Sequence, residues 1–411
     1  MEKNLKIFTD DIEDSAKEQI NLLLDQPAFA NSKVRIMPDV HAGTGCVIGF
    51  TADLGEKVIP NIVGVDIGCG MHVVKLGNVN INFSELDNYI KDNIPSGFKN
   101  NENSANCAEI IDKLVCLPFL HNIDNFPKGV GTLGGGNHFI EVDVDSKGCY
   151  YLVIHTGSRN LGNQVAVYYQ KLAIKLHADK KKNNDVGKII AEYKAAGKQK
   201  DISKALTEYY NTIGNEKDIP DELCYLTGTD RDNYLHDMKL CQKYAIANRN
   251  MIATKICMFL GISTHSDFET IHNYIDDNNI VRKGAISAKK GELVIIPMNM
   301  RDGSLLAIGK GNPDWNESAP HGAGRILSRK AARENLSLSD FKKEMSGIYS
   351  TTVLAETIDE APMAYKPMSE IIKNIKDTVK VIEVIKPVYN FKAAEDIKSY
   401  SRKKEDIDDN E

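Results

Sequence analysis

Several features that define large protein classes are missing from this 411-residue sequence. No apolar run approaches the roughly 20 residues that cross a bilayer. Residues 1–19 carry acids where a secretory signal carries an apolar core. The eight cysteines include no CxxC pair, which excludes a zinc ribbon and a thioredoxin-type motif. We therefore expect a cytoplasmic protein with no membrane span.

The nucleotide-binding loops most often found in enzymes are also absent. Neither GxxxxGK[ST] nor a strand-linked GxGxxG occurs, so a P-loop or Rossmann site is unsupported. The formal net charge is −6, which argues against a protein whose whole surface attracts nucleic acid. Local basic segments at 282–290 and 325–333 still allow a basic groove. The content of 42% hydrophobic and 26% charged residues is typical of a folded globular protein.

The pattern of apolar residues predicts an α+β fold with central antiparallel sheets flanked by helices. Short strands are expected at 34–37, 46–51, 71–76, 139–144, 149–154, 293–296 and 305–308. Helices are expected in an insertion at about 161–260 and again at 370–385, ending before Pro387. We predict one catalytic domain over 1–392 and a charged, disordered tail over 393–411.

Four glycine clusters each carry a potential ligand or nucleophile. They read GVDIGCG at 64–70, GGGNH at 134–138, HTGSR at 155–159 and HGAGR at 321–325. Glycine is required where the backbone approaches a ligand closely or adopts positive φ. One such cluster is weak evidence, because turns are rich in glycine, but four with His, Cys or Asp indicate a functional site.

The predicted hairpin around residue 146 brings two of these clusters together. With the turn centred between 146 and 147, His138 and His155 become cross-strand neighbours with Cβ atoms roughly 5 Å apart. This spacing favours a shared metal over two buried structural histidines. Asp66 and Cys69 can complete the site. Because the ligand atoms are a mixture of oxygen, nitrogen and sulfur, they do not identify the metal as Mn²⁺, Zn²⁺ or Fe²⁺. For His321, the spacing leaves a nucleophile and a further metal ligand equally open.

At this point the sequence resembles the RtcB RNA ligases, which join RNA ends using GTP and manganese. The segments that carry the resemblance are MPDVHAG at 37–43, GVDIGCG at 64–70, LGGGNHFIE at 133–141, HTGSR at 155–159, NR at 248–249, HNY at 272–274, RKGA at 282–285, HGAGR at 321–325 and MAYK at 363–366. They cover about 34–392 in the same order as in the family.

The resemblance implies specific roles at the matching positions. Two Mn²⁺ ions are expected on Asp66, Cys69, His138, His155 and His272, with the Cys69 thiolate as the bridge. His321 is expected to take GMP from GTP as a phosphoramidate. Arg159 and Arg325 are expected to contact phosphates or RNA ends, and Asp39 to lie near the active site. Guanylate contacts are expected from Asn137, His138, Phe139, Ile140, Glu141 (the guanine reader), His272, Asn273, Pro297, Met298, Asn299, Met300, Ser304, Gly322, Ala323, Gly324, Tyr365 and Lys392.

The activity implied by the resemblance is the joining of an RNA 3′-phosphate or 2′,3′-cyclic phosphate to a 5′-hydroxyl. The process served would be tRNA splicing or RNA repair, and an archease-type activator is a possible partner. Two rival hypotheses remain: a metal-dependent phosphoesterase acting on RNA ends without ligation, and a non-catalytic RNA-binding relative.

The sequence departs from the family pattern in two places. Residues 297–301 read PMNMR where most members read PGSMG, although Ser304 stays in register and the hairpin is expected to persist. Lys392 is followed by Ala393 where the family commonly has glycine. Both departures affect the expected guanylate pocket and not the metal ligands.

Overall fold

The computed structural model describes residues 4–43, 45–212, 219–263 and 266–393. Its strands are β1 (Leu5–Ile7), β2 (Val34–His41), β3 (Ile48–Asp53), β4 (Gly70–Gly77), β5 (Phe139–Val144), β6 (Tyr150–Thr156), β7 (Asp267–Ile271), β8 (Asn273–Ile275), β9 (Ile280–Lys283), β10 (Ala285–Ser287), β11 (Leu293–Asn299), β12 (Gly303–Gly309), β13 (Ser318–Pro320) and β14 (Val379–Lys392).

Helices occupy much of the remaining described chain. They are α1 (Asp14–Leu24), α2 (Pro60–Val63), α3 (Phe83–Asn93), α4 (Ala108–Ile111), α5 (Phe126–Gly129), α6 (Arg159–Ala195), α7 (Ile202–Thr212), α8 (Gly228–Phe259), α9 (Arg329–Asn335), α10 (Leu338–Glu344) and α11 (Met368–Asn374). The predicted α+β class with antiparallel sheets is confirmed. Within the described residues, no helix combines the length and apolar character needed to cross a membrane. Residues 394–411 of the predicted tail lie outside the described residues.

A seven-stranded antiparallel sheet forms the centre of the molecule, in the order β11-β12-β14-β5-β6-β4-β7. Successive side chains on a strand point to opposite faces. Ile140 and Val142 on β5 therefore pack with α3 and α8 on one face, in a buried cluster that also contains Leu152 and Ile154. Phe139 lies on the other face with Val153, Leu306 and Ile385.

The sheet curls until its two outer strands approach each other. The backbone N–H of Ile295 on β11 donates to Thr270 Oγ1 on β7 at 3.4 Å. The face that carries Phe139 is thus concave and enclosed. A second sheet, β1-β2-β3-β9-β8, and the short pair β10-β13 complete the described strands.

The predicted register of the β5–β6 hairpin is wrong by one residue. His155 pairs with Phe139 and not with His138, and Val144 pairs with Tyr150. The cause is the turn, because Asp145 N–H donates to Cys149 O while the Asp145 carboxylate accepts from the N–H groups of Lys147 and Cys149. This loop has an odd number of residues, which shifts the pairing by one. His138 consequently precedes the strand.

The predicted helix at 370–385 is also wrong over most of its length. Only α11 is helical, and β14 begins at Val379. Its β-branched residues fit a pleated strand, and pairing with β12 on one side and β5 on the other outweighs the helical spacing. Pro387 is tolerated inside this central strand because the register shifts between Pro387 and Tyr389.

Candidate metal and nucleotide site

The predicted metal ligands gather at one end of the seven-stranded sheet. Cys69 immediately precedes β4, and His138 immediately precedes β5; His155 lies near the end of β6, and His272 follows β7. Because neighbouring antiparallel strands start where their partners end, these four positions meet at the same end of the sheet. Asp66 enters from the loop before Cys69.

The ligand atoms form two groups that share one sulfur. Cys69, His155 and His272 form the first group and Asp66, Cys69 and His138 the second, with the ligating atoms of each group within 4.8 Å of one another. Cys69 Sγ lies 3.4 Å from His138 Nε2 and 3.3 Å from His155 Nε2. Atoms with lone pairs are held this close by a shared proton or cation. A thiolate between two groups suits a bridging ligand for two ions.

The second nitrogen of two of these histidines supports a metal-binding tautomer. His138 Nδ1 lies 2.9 Å from Leu133 O, and His155 Nδ1 lies 3.2 Å from Asn137 O. An N–H that donates to a carbonyl leaves the opposite Nε2 with a free lone pair, as metal-ligating histidines require. Burial lowers the pKa of His155 and of His272 well below the usual range, so both imidazoles are neutral. The residues therefore fit a divalent metal.

The anionic ligands differ in how readily they ionise. Burial raises the pKa of the Cys69 thiol, and the neighbouring Asp66 raises it further. Burial also opposes ionisation of Asp66, but the contacts with His138 and the charge of Arg159 bring the pKa of this carboxyl down to about 2. A metal that binds here must therefore displace the thiol proton of Cys69.

His321 is fixed by a buried carboxylate from β2. Asp39 Oδ2 lies 2.7 Å from His321 Nδ1 and also accepts from the backbone N–H groups of His321 and Gly322, at 3.1 and 3.3 Å. Asp39 is fully buried, so these contacts are shielded from water. The His321 ring centroid lies 4.9 Å from that of His272. The nucleophile candidate is thus held beside the ligand cluster.

A cavity of about 700 Å³ joins the cluster to the expected nucleotide contacts. Asp66, Cys69, His155, His272 and His321 all line it. The wall also includes the predicted contacts Asn137, Phe139, Glu141, Asn273, Pro297, Met298, Asn299, Met300, Gly322, Ala323, Gly324, Arg325, Tyr365 and Lys392. This volume is in the range of small-molecule sites, which is roughly 300–1,000 Å³.

Some predicted residues lie outside the cavity wall. Ile140 packs on the helix-covered face of the sheet, so its side chain is on the wrong side for a nucleotide. Ser304 is buried, and its Oγ has no hydrogen-bond partner among the described residues. His138 lies within the ligand cluster, Asp39 behind His321, and Arg159 beside His138.

Comparison with known proteins identifies the family of this chain. A sequence profile described as tRNA-splicing ligase RtcB matches residues 23–116 and 120–393. The chain belongs to the RtcB family. It is 29% identical to the RNA-splicing ligase RtcB of Escherichia coli (strain K12), covering 92% of this chain and 94% of that protein. It is 27% identical to the tRNA-splicing ligase RtcB of Nanoarchaeum equitans, covering 82% and 83%.

The altered segment 297–301 of this RtcB chain retains the hairpin, as the sequence predicted. Pro297 pairs with Ser304 and Asn299 with Gly303 between β11 and β12. Asn299 Oδ1 accepts from the backbone N–H groups of Arg301 and Asp302 and so closes the turn. Its two methionines, Met298 and Met300, are buried.

Sequence reasoning missed Glu360 as a residue of the RtcB cavity. The buried Glu360 carboxylate forms an ion pair with Lys392, and it accepts from Tyr365 Oη at 2.7 Å. Arg325 and Arg329 also contact it, at 3.3 and 2.8 Å. Despite burial, the charges of Lys392, Arg329 and Arg325 lower the pKa of Glu360 to about 2. No local pattern marks Glu360, because its three charged partners are distant in sequence.

The two arginines expected at phosphates have different surroundings. The Arg325 guanidinium donates to Leu327 O, Asp359 O and Glu360, which ties it to the cavity wall. Arg159 adopts a positive φ of 55° at the start of α6, and its guanidinium contacts Gly97 O and lies 3.4 Å from His138 Nδ1. A Cβ on Gly134 would lie 1.9 Å from this guanidinium, which explains the glycine.

Proposed function

We propose that this RtcB chain is an RNA ligase that joins a 3′-phosphate or 2′,3′-cyclic phosphate to a 5′-hydroxyl. It would act through GMP bound covalently to His321, with GTP as cosubstrate, and its catalytic domain would span 1–392. The printed names of the relatives from Escherichia coli and Nanoarchaeum equitans support RNA as the substrate.

The observation that carries this proposal is the pairing of His321 with Asp39 at the edge of the ligand cluster. A carboxylate that accepts from Nδ1–H fixes the tautomer and leaves Nε2 unprotonated, which is the form that attacks phosphorus. The two backbone N–H groups on the same carboxylate oxygen fix its position. A ring that only fills space would need none of these contacts.

Two divalent ions, proposed to be Mn²⁺, would be held by Asp66, Cys69, His138, His155 and His272 and would stabilise negative charge on the reacting phosphates. Side chains of the protein would bind the base and the RNA phosphate. Glu141 lies on the cavity wall, where its carboxylate can accept N–H groups of a guanine base. Arg159, beside the cluster, would bind an RNA phosphate.

The proposed reaction has three transfers at phosphorus. His321 Nε2 attacks the α-phosphorus of GTP, pyrophosphate leaves, and a phosphoramidate to GMP forms. An oxygen of the RNA 3′-phosphate then attacks that phosphorus and releases His321. The 5′-hydroxyl of the second RNA end attacks the activated 3′-phosphate, and GMP leaves. A cyclic end is first opened by water to the 3′-phosphate.

A phosphoesterase without ligation is the second candidate. It would use the same ligand cluster and would leave His321 without a covalent role. The three contacts that position His321 on Asp39 favour the ligase.

Labelling with GTP tests the proposal. Wild-type protein incubated with α-labelled GTP and Mn²⁺, with and without an archease-type activator, should carry an acid-labile, base-stable guanylate. His321→Ala should carry none, while His236→Ala, which changes an exposed histidine of α8, should label normally. Wild-type protein that opens a cyclic phosphate but never becomes labelled would favour the phosphoesterase.

A further inference from the structure

Beneath the expected base-reading residue lies a second buried carboxyl. Asp143 follows Glu141 by two positions on β5 and therefore shares its concave face. Asp143 is fully buried, and neither carboxylate oxygen has a hydrogen-bond partner among the described residues. Burying a carboxyl in this way destabilises a fold, so its presence requires another explanation.

Among the described residues, no positively charged side chain forms an ion pair with Asp143. Its cross-strand partners are Tyr151 on β6 and Pro387 on β14. The concave face carries the apolar residues Met71, Val73, Val153, Ile295, Leu306 and Ile385, together with the buried Thr270 and Ser304. On β5 and the two strands beside it, the other charged or titratable groups are Glu141, Tyr150, Tyr151, His155, Lys380, Glu383, Lys386, Tyr389 and Lys392. Lys386 is exposed, and the Lys392 ammonium is paired with Glu360.

Asn390 contacts Glu141 and lies on the same face of the sheet as Asp143. It pairs with Glu141 across β14 and β5, and its amide donates to Glu141 Oε1 at 2.5 Å. Its own Oδ1 is buried and has no donor among the described residues. Asp143 is a diagonal neighbour of Asn390 on the same face, and such pairs lie roughly 7 Å apart, within reach of their side chains.

The surroundings of Asp143 and Glu141 indicate which of the two carboxyls is protonated. Burial raises the pKa of Asp143 well above its usual range, and the charge of Glu141 raises it further. Burial also raises the pKa of Glu141 to about 7, although the Asn390 amide and Lys392 act in the opposite direction. Glu141 has a donor and faces the cavity, whereas Asp143 has neither. Asp143 is thus the neutral member and Glu141 the charged one.

We propose that Asp143 is a positioning residue for base recognition: as a neutral carboxylic acid it donates to the Asn390–Glu141 pair and keeps the Glu141 carboxylate available as the acceptor of a guanine base. This inference rests on the proposed function, because it assigns Glu141 to the base. A protonated Asp143 supplies the donor that Asn390 Oδ1 lacks and fixes which way the Asn390 amide points. An uncharged Glu141 would present a donor to guanine N1–H and lose the contact.

Two substitutions separate positioning from packing. Asp143→Leu removes the donor and puts an apolar side chain into an apolar interior, so the variant should still fold, which its unfolding temperature checks. Asp143→Asn keeps a donor of the same size. We expect Asp143→Leu to bind GMP, measured without metal, about fivefold more weakly at pH 7, with the pH midpoint of binding about one unit higher. Asp143→Asn should stay within about twofold of wild type.

The sign of the pH effect follows from the charged state of Glu141. GMP binding needs the carboxylate, so affinity falls as the pH drops through the pKa of Glu141. Losing the donor raises that pKa and moves the loss to higher pH. Independently of any nucleotide, the infrared carbonyl band of a protonated carboxylic acid in protein labelled with ¹³C-aspartate should be present in wild type and absent from both variants.

The outcomes are distinguishable. If wild-type protein binds GMP and Asp143→Leu binds it with the same affinity and pH midpoint, this inference is overturned and the proposed function stands. Absence of the infrared band from wild type at pH 7 also overturns the inference. Wild-type protein that binds no guanine nucleotide overturns the proposed function and this inference together.

Discussion

At the scale of single residues, Asp39 imposes the most specific constraint in the cavity. Its Oδ2 accepts from three groups of the 321–322 segment, and its Oδ1 has no partner among the described residues. The carboxylate thus serves the orientation of one imidazole and little else. Aspartates that orient a reactive histidine act in the same way in hydrolases.

Asp39→Asn should reduce guanylation of His321 by about 100-fold or more, because an amide can donate to Nδ1 and stabilise the wrong tautomer. The rate of label transfer from GTP measures the effect. Binding of Mn²⁺ should be unchanged, because Asp39 is not in the ligand cluster. Guanylation at the wild-type rate would mean that Asp39 does not set the tautomer.

Cys69→Ala should remove at least one metal ion per chain. Cys69 belongs to both ligand groups, so its loss leaves each group with two ligands. Metal content after dialysis against Mn²⁺, determined by plasma mass spectrometry, gives the stoichiometry. Cys107→Ala is the matched control, since Cys107 is an equally buried free thiol outside the cluster. An unchanged metal content in Cys69→Ala would contradict the bridging role.

The sequence pattern indicated some residues of the candidate site and missed others, and the difference has a physical cause. Glycine clusters pointed to Asp66, Cys69, His138, His155 and His321, since close backbone approach leaves a local signature. His272 came only from the family resemblance, and Glu360 from neither. Both are placed by contacts between segments distant in sequence, and such contacts leave no mark on the adjacent residues.

At the scale of elements, helix α8 holds the loops that carry the proposed metal ligands. Arg249 Nη1 donates to Gly68 O and Thr156 O, at 2.9 and 2.8 Å, next to Cys69 and His155. Asn248 accepts from the N–H groups of Gly131 and Thr132 on the segment that leads to His138. Groups that orient ligand-bearing backbone tune metal affinity without touching the metal.

Arg249→Lys should therefore weaken Mn²⁺ binding by about 10- to 100-fold with all five proposed ligands intact. A lysine ammonium cannot reproduce the contacts that the Arg249 guanidinium makes with two backbone carbonyls and with the Glu269 carboxylate. Titration calorimetry gives the Kd, and circular dichroism checks the fold. Arg231→Lys, on the same helix but bonded to Asp232 and Asn279, should bind like wild type. Equal Kd values for the two variants would refute the bracing role of α8.

The strands were predictable where local signals and tertiary pairing agree. The stretches at 34–37, 71–76 and 139–144 combine β-branched residues with bounding turns, and they lie in β2, β4 and β5. The stretch at 379–385 has apolar spacing that suits both a helix and a strand, and its pairing with β12 favours the strand. The hairpin register depended on the side-chain hydrogen bonds of Asp145, which spacing does not encode.

At the scale of the whole molecule, the cavity is formed by segments that are far apart in the sequence. Asp39 comes from β2, the proposed metal ligands from residues 66–272, and Lys392 from the end of β14. These segments meet because the seven-stranded sheet curls and β14 enters its middle. No single stretch of sequence contains the site, so its volume and wall could not be predicted locally. The unfolded chain correspondingly has no preformed metal site.

Metal binding should therefore stabilise the whole fold. A ligand that binds only the native state adds about 2.7 kcal/mol to the free energy of unfolding at 100 times its Kd. We expect Mn²⁺ to raise the Tm of wild-type protein by a few degrees and EDTA to reverse the rise, as measured by differential scanning fluorimetry. His155→Ala should lose most of the shift because it removes a ligand of the first group, whereas the exposed control His236→Ala should keep it. Identical Tm values with Mn²⁺ and EDTA in wild type would show that the five residues do not form a metal site that depends on the fold.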